Sequence, residues 1–428
     1  MKAVKKWVKW SLIGTAAAAV AVTLLWAILL CFQFNIFAPK GWQDGKYLDN
    51  MGKPLSGWQT IDGKTYYLDP VKVTGWLDTQ EGRYYLDAQG NPKTGWHTDE
   101  SGTYLLTPEG KALTGWVQTD RGDRYFSPEG VMAMGTQELY GRYWYFGQDG
   151  TPHNGWFENR YYKAGEALTG WQDLEEGRCY FYADGLAAQG WQTISGQKYL
   201  FTDGVACVGW YTEGSARYYF HEDGHMAVGE VKIDGVSRFF SSTGKYVVLV
   251  NFEHPVPEDY VPDLVSVEGR LVDASIVEDL QRLLAAARAA GHPVYINNAY
   301  RSVETQQYMF NKRLSSYMEG GMDAESATAL ITQSLMLPGH SEHHLGLALD
   351  VRCANKTYKW LEENGWQYGF ILRYPEGKTN ITGIIYEPWH FRYVGPELAK
   401  ELYESGLCLE EYMSSISLST YDGQGEEF

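Results

Sequence analysis

The chain has 428 residues, too many for one ordinary domain, and carries a net charge of −17. That balance excludes a nucleic-acid-binding surface built on charge and argues against electrostatic capture of anionic wall polymers. Five cysteines in so long a chain form no disulfide framework; Cys31 lies in an apolar run, and Cys179, Cys207, Cys353 and Cys408 show no metal-binding spacing.

The chain starts with Lys2, Lys5, Lys6 and Lys9 and no acid, followed by an uncharged run from Ser11 to Phe34. At 1.5 Å per residue such a run of about two dozen residues crosses a bilayer. The lysines place its start in the cytoplasm and send the rest outside. The run is longer than the apolar region of a cleaved signal peptide, no small-x-small site follows it, and Leu30 before Cys31 excludes lipidation. Residues 1–37 are therefore expected to be a Lys-rich start and a single-pass membrane anchor. Without its four lysines the exported part carries about −21, a charge suited to cationic ligands.

From residue 38 to 246 the sequence repeats with a period of about 20 residues. Gly-Trp recurs at 41, 57, 75, 95, 115, 155, 170, 190 and 209, while Gly135-Thr136 and Gly229-Glu230 keep the phase without the Trp. Each unit reads as a short aromatic strand, a turn and a Tyr-rich strand, which is a β-hairpin. Hairpins this short bury no core alone, so the pattern predicts a solenoid in which each supports the next. Thr136 and the short unit between Gly155 and Gly170 interrupt it.

After Lys245 the period ends. Val247–Asn251 reads as a strand, and Asp273–Ala290 has helical apolar spacing (Ile276, Leu280, Leu283, Leu284, Ala287) with Gly291 as its stop. Val294–Tyr300 reads as a strand that delivers Arg301, and Ser302 as the cap of a helix that brings Gln306 near Arg301. Residues 318–334 read as a polar loop and a helix over the site, 355–366 as a helix, 370–374 as a strand. Pro396–Met413 reads as one closing amphipathic helix, and 414–428 as a disordered tail.

Two stretches carry chemistry. In Gly339-His340-Ser341-Glu342-His343-His344-Leu345-Gly346-Leu347-Ala348-Leu349-Asp350-Val351 a histidine precedes an aspartate by seven residues, and the alternating apolar run holds Asp350 on a buried strand. Tyr386-Glu387-Pro388-Trp389-His390 adds a second histidine and a free carboxylate. Two His and one Asp leave a fourth position on Zn²⁺ open, the pattern of a catalytic site, with Glu387 placed to take a proton from water. Pro388 keeps Glu387 extended, on a strand or tight turn. His340 and His344 read as structural. Spacing alone fits a zinc site and a hydrogen-bonded polar core cluster equally well.

Ser-x-His-x-x-Gly-x-Ala-x-Asp followed by Glu-x-x-His and preceded by Tyr300-Arg301-Ser302 resembles the VanY-type zinc D-Ala-D-Ala carboxypeptidases, over residues 247–413. The resemblance implies an α+β peptidase domain of the hedgehog/DD-peptidase kind holding one catalytic Zn²⁺ on His343, Asp350 and His390, with Glu387 as base. It implies Arg301 facing the substrate carbonyl or carboxylate and Gln306 and Ser341 lining the peptide terminus. Trp389 is read as a wall of the substrate site. The implied activity is removal of the terminal D-alanine from peptidoglycan stem peptides. The motifs do not separate this from L,D-carboxypeptidase action on tetrapeptide stems; a free dipeptidase and a wall-binding or adhesion protein with an idle peptidase domain are the further alternatives.

The repeats resemble the choline-binding or cell-wall-binding repeats of Gram-positive surface proteins. The resemblance implies aromatic cages for a quaternary ammonium, each built from a Trp and a Tyr of one hairpin and an aromatic of the next. Desolvated cation–π contacts of this kind reach about 2 kcal/mol. The pairs singled out are Trp76 with Tyr85, Trp96 with Tyr104, and Trp171 with Tyr180; glucan or other carbohydrate is the alternative ligand. The expected whole is a multidomain, single-pass surface protein with an extracellular, wall-associated C-terminal part: anchor 1–37, hairpin solenoid 38–246, peptidase domain 247–413, tail 414–428.

Overall fold

The computed structural model describes residues 2–33, 39–214 and 216–422, with side chains except at 2–14, 31–32 and 417–422. The chain divides into two compact units, residues 1–172 with 181–187, and residues 173–180 with 188–428.

The first unit opens with helix α1 (Lys2–Gln33). Among the described residues no helix is long and apolar enough to cross a membrane. The anchor expected over residues 1–37 draws on residues 1 and 34–37 and on side chains at 2–14 and 31–32 that lie outside the described ones.

The repeats form antiparallel hairpins. In one, Gly75–Thr79 pairs with Gly82–Leu86, so that Trp76 lies opposite Tyr85. Elsewhere two-residue turns such as Asp62-Gly63, both at positive φ (52° and 76°), give the mirror-image turn that matches strand twist. Neighbouring repeats are tied by backbone bonds, as where Tyr85 donates to the Gly110 carbonyl and Ala112 to that of Arg83, at 2.9 and 2.8 Å. Apolar side chains on several second strands are fully shielded, including Leu86, Phe126 and Phe146. The glycine that opens each hairpin has positive φ (77° at Gly75, 67° at Gly135), a region that costs other residues a steric penalty. Gly135 meets the same requirement although Thr136 follows it in the place of a Trp. Tyr145, opposite Thr136, stacks on Phe157 at 3.8 Å.

The second unit holds the last repeats and the C-terminal part. A hairpin of β1 (Leu264–Val267) and β2 (Arg270–Asp273) leads into α2 (Val277–Ala289). Four antiparallel strands follow: β3 (Val294–Asn298), β4 (Ala348–Cys353), β5 (Phe370–Leu372) and β6 (His390–Tyr393), ordered β3-β4-β6-β5. Leu280, Leu283, Leu284 and Ala287 of α2 pack on Val294, Ile296, Leu349 and Phe391 of this sheet. Between β3 and β4 run α3 (Val303–Glu319) and α4 (Ala324–Thr332), capped by the side chains of Ser302 and Asp323. Helix α5 (Asn355–Asn364) follows β4.

Three readings need correction here. The segment 247–251 is paired only at its start, where Tyr246–Val247 adds to the last repeat hairpin. The closing helix is two helices, α6 (Pro396–Ser405) and α7 (Leu409–Asp422), because Gly406 turns left-handed at φ 67°. The tail expected to be disordered from Ser414 continues α7 instead. Ile416 is buried in a cluster with Phe239, Val247, Leu249, Leu398, Leu402, Leu409, Tyr412 and Met413, which stabilises the extra turn. Residues 423–428 lie outside the described ones. The same cluster shows that the last repeat and the closing helices share one core. Lys245 pairs with Glu397 at 2.7 Å across that seam.

Candidate active site

The site forms where β4 and β6 run side by side. Cross-strand pairing sets Asp350 opposite His390 and, on its other flank, opposite Asn298 of β3. His343 arrives on a short 3₁₀ turn (Glu342–Leu345) ended by Gly346 at φ 73°. At Gly346 a side chain would meet the Asp273 backbone at 2.8 Å, so glycine is required by conformation and space. Glu387 sits in the turn before β6, where the His390 amide donates to its carbonyl at 3.1 Å and its own amide to Tyr374 O at 3.2 Å. The extended or turn placement forced by Pro388 matches this.

His343 Nε2 lies 3.3 Å from Asp350 Oδ2, and His390 Nδ1 lies 3.2 Å from Asp350 Oδ1. One ligand atom from each residue falls within 4.8 Å of the others. Two donors each about 2.1 Å from a tetrahedral zinc stand about 3.4 Å apart, so the donor set fits the ion in type and spacing. The second ring nitrogen of His343 also fits. Nδ1 lies 2.7 Å from the Ala299 carbonyl, a contact that makes it the donor and leaves Nε2 as a lone pair. Asn298 Nδ2 donates to Asp350 Oδ2 at 3.1 Å.

The two histidines are shifted in opposite directions. Burial lowers the pKa of His343, keeping the ring neutral as a ligand must be. For Asp350, burial is outweighed by the two histidines, and the carboxyl is held well below its usual range. For His390, burial is outweighed by Asp350 and Glu342, which push it up to about 9. Burial dominates at Glu387, whose carboxyl is pushed up to about 7, near the optimum for proton exchange at neutral pH. Its Oε2 is 3.8 Å from His390 Nδ1.

These groups open on a cleft of about 920 Å³, lined also by Arg301, Ser341, Trp389, Tyr374 and Arg313. Arg301 Nη2 lies 3.7 Å from Asp350. Trp389 is 38% exposed and stands as a wall of the cleft. Gln306 does not line it, a correction to the expected contact with a peptide terminus. It is fully buried; its Oε1 accepts from Arg301 Nη1 at 2.7 Å and its Nε2 donates to the Met336 carbonyl. Its polar atoms are thus both committed, Oε1 to Arg301 and Nε2 to Met336. His344 Nδ1 contacts the Arg301 carbonyl at 2.6 Å and His340 Nδ1 that of Asn251 at 2.8 Å, both structural contacts.

Asn298, Tyr374 and Glu342 were missed by sequence reasoning. The first could have been found, since a strand ending two residues before Tyr300-Arg301 brings Asn298 beside the Asp350 strand. Glu342 gave no signal apart from lying inside the motif.

In the repeats, Trp76 and Tyr85 do come together, with ring centroids 5.0 Å apart, and Tyr104 of the next hairpin closes the group at 4.3 Å. His97 fills the remaining side, 4.0 Å from Tyr85, and the Arg83 guanidinium lies 4.4 Å over Trp76. Trp96 with Tyr104 is not a pair, which is a second correction. Register places Leu105 opposite Trp96 and His97 opposite Tyr104, so strand alternation turns Tyr104 toward the preceding hairpin. Trp171 and Tyr180 are both half-buried and belong to different units. Trp58 with Tyr67 and Tyr84, at 5.3 and 5.0 Å, repeats the three-ring group at a position not singled out from sequence.

Two histidines, an aspartate and a free buried glutamic acid converging on a sheet-floored cleft are the working parts of a metallohydrolase. Residues 269–396 match the family described as D-alanyl-D-alanine carboxypeptidase, residues 207–248 a choline-binding repeat and residues 56–70 a cell wall binding repeat. A D-alanyl-D-alanine carboxypeptidase of Enterococcus faecalis is 41% identical over 40% of this chain and 66% of its own. The bifunctional D-Ala-D-Ala dipeptidase and carboxypeptidase VanXYC of Enterococcus gallinarum is 31% identical over 38% of this chain and 91% of its own. A solved vancomycin-resistance D,D-pentapeptidase VanY variant in complex with Zn(II) is 42% identical, covering 39% of this chain and 97% of that one, with a TM-score of 0.37. The chain belongs to the VanY family of D-alanyl-D-alanine carboxypeptidases and carries choline-binding-type repeats ahead of that region.

Proposed function

We propose that this protein is a cell-wall-associated zinc carboxypeptidase that removes the terminal D-alanine from peptidoglycan stem peptides. The observation that carries the reading is the convergence of His343, Asp350 and His390 within 4.8 Å beside the buried Glu387 carboxyl. Those three residues would hold zinc, which when bound supplies a Lewis acid that acidifies water and polarises the scissile carbonyl. Glu387 takes the proton of the attacking water and passes it to the amine nitrogen of the departing D-alanine as the amide C–N bond breaks. Its burial suits both halves of that transfer. Arg301, fixed by Gln306, presents its guanidinium to the oxyanion or to the terminal carboxylate of the stem peptide. Ser341 and Trp389 bound the place of that terminus.

The repeats would hold the enzyme on its polymeric substrate, raising effective concentration without altering the site. Aromatic three-ring groups and an acidic exported chain favour a cationic wall ligand such as choline. The uncharged run from Ser11 to Phe34 behind four lysines supports a single-pass membrane anchor with the enzyme outside. The test is incubation of the full chain in detergent micelles with zinc and synthetic pentapeptide and tetrapeptide stems. D-Alanine release from the pentapeptide, abolished in Glu387→Ala, is the expected result. Release from the tetrapeptide alone would reassign the enzyme as an L,D-carboxypeptidase, and release from neither would remove the enzymatic reading.

A further inference from the structure

Glu342 lies within the motif yet is neither metal donor nor base, and it is the most deeply buried carboxylate near the site, at 1% exposure. Its Oε1 accepts from Arg373 Nε and from Arg392 Nη1, both at 2.8 Å. Both arginines are themselves 1% exposed. A carboxylate present only to neutralise two guanidiniums would be expected to share its two oxygens between them. Here both arginines use Oε1, and Oε2 is left facing His390 Nε2 at 3.7 Å. Neither Oε2 nor His390 Nε2 has a hydrogen-bond partner, and both are sealed from solvent.

We propose that Glu342 is a positioning residue for the metal centre: its Oε2, which faces His390 Nε2, accepts a hydrogen bond from that N–H when the ring is a ligand and so leaves Nδ1, as a lone pair, turned toward the ion. The proposal rests on the zinc reading above. A carboxylate behind a metal-bound imidazole fixes tautomer and ring orientation and raises ligand basicity. The arginines hold Glu342 in turn, and they are fastened to the end of the chain and to the segment after the last repeat. Arg373 forks onto Glu410 of α7 at 2.9 and 2.5 Å. Glu410 also accepts from Asn251 Nδ2 at 3.2 Å, and Arg392 Nη2 donates to the Val248 carbonyl at 2.8 Å. Ligand geometry at His390 is thereby set by residues far from it in sequence.

The test is zinc affinity of the full chain, by competition with a chelating dye, together with the absorption bands of the cobalt-substituted protein. Glu342→Gln is expected to weaken zinc binding by about 10- to 100-fold and to shift the cobalt bands, with KM for the stem peptide changed less than kcat. Should that variant fail to fold, Glu342→Gln with Arg392→Met removes both charges together, and the same loss of affinity is expected there. Wild-type affinity and an unshifted cobalt spectrum in a folded variant would overturn the proposal while leaving the zinc reading intact. No metal uptake by wild type would overturn both.

Discussion

Gln306 and Arg301 act as one device: the glutamine is sealed inside the protein, and its Oε1 accepts from Arg301 Nη1 at 2.7 Å. Only Arg301 reaches the cleft. Gln306→Leu would leave a guanidinium N–H and the Met336 carbonyl unpaired, at about 1–3 kcal/mol for a buried polar group. A fall of roughly tenfold in kcat/KM is expected from the loosened guanidinium, without loss of bound zinc. Steady-state kinetics and metal analysis on the same preparation check this; unchanged kcat/KM would show that Arg301 needs no such support.

Glu410 gives the C-terminal unit an acid sensitivity. Burial alone would raise its pKa, but Arg373 outweighs that and the net shift is downward. A folded-state pKa below the unfolded value of about 4.3 contributes stability that is full above that value. That contribution is lost as pH falls through the depressed folded value. The wild type should therefore lose thermal stability below about pH 4 more steeply than Glu410→Gln. The variant should be less stable at pH 7 by about 3 kcal/mol, as for a broken buried pair. Parallel acid arms in melting curves would refute the linkage.

Two tryptophans of the repeats should behave differently. Trp76 donates from Nε1 to Asp99 at 2.8 Å and carries Arg83 on its face, so its ring already serves the fold. Trp58 makes its ring contacts with Tyr67 and Tyr84. Trp76→Ala should lower the melting temperature of the repeats, at about 1–3 kcal/mol for a half-buried aromatic that also loses its hydrogen bond to Asp99. Trp58→Ala should instead weaken retention on a choline matrix. Equal retention by both variants would show that Trp58 binds no wall ligand.

The shared core predicts that the peptidase region is not separable at the end of the repeats. A chain beginning at Val247 lacks Phe239, which packs with Leu398, Leu402 and Met413. Such a truncation should melt earlier than the full chain and bind a hydrophobic dye, and Leu402→Ala should cost about 2–5 kcal/mol in the full chain. Identical melting of the peptidase transition in both would contradict the shared core.

Much of this was legible in sequence because periodicity and local chemistry determine it. The Gly-Trp period marks where a positive φ recurs, and the alternating run at Leu347–Val351 marks a buried strand. The hydroxyl of Ser302 signals a helix start. What was not legible depends on register and on distant partners. Sequence pairs Tyr104 with Trp96, although strand alternation turns it toward Trp76. The resemblance implies Gln306 at the peptide terminus, and sequence shows its proximity to Arg301 but not its depth. The tail beyond Ser414 looked polar, yet Ile416 finds an apolar cluster contributed partly by the last repeat, some 170 residues earlier.

The central claim, that His343, Asp350 and His390 hold one zinc ion, is tested most directly by metal content. Wild-type chain dialysed against trace zinc should retain one zinc per chain. His343→Ala, Asp350→Ala and His390→Ala, each folded by circular dichroism, should retain almost none. Absence of zinc from the wild type, or full retention in all three variants, would contradict the account.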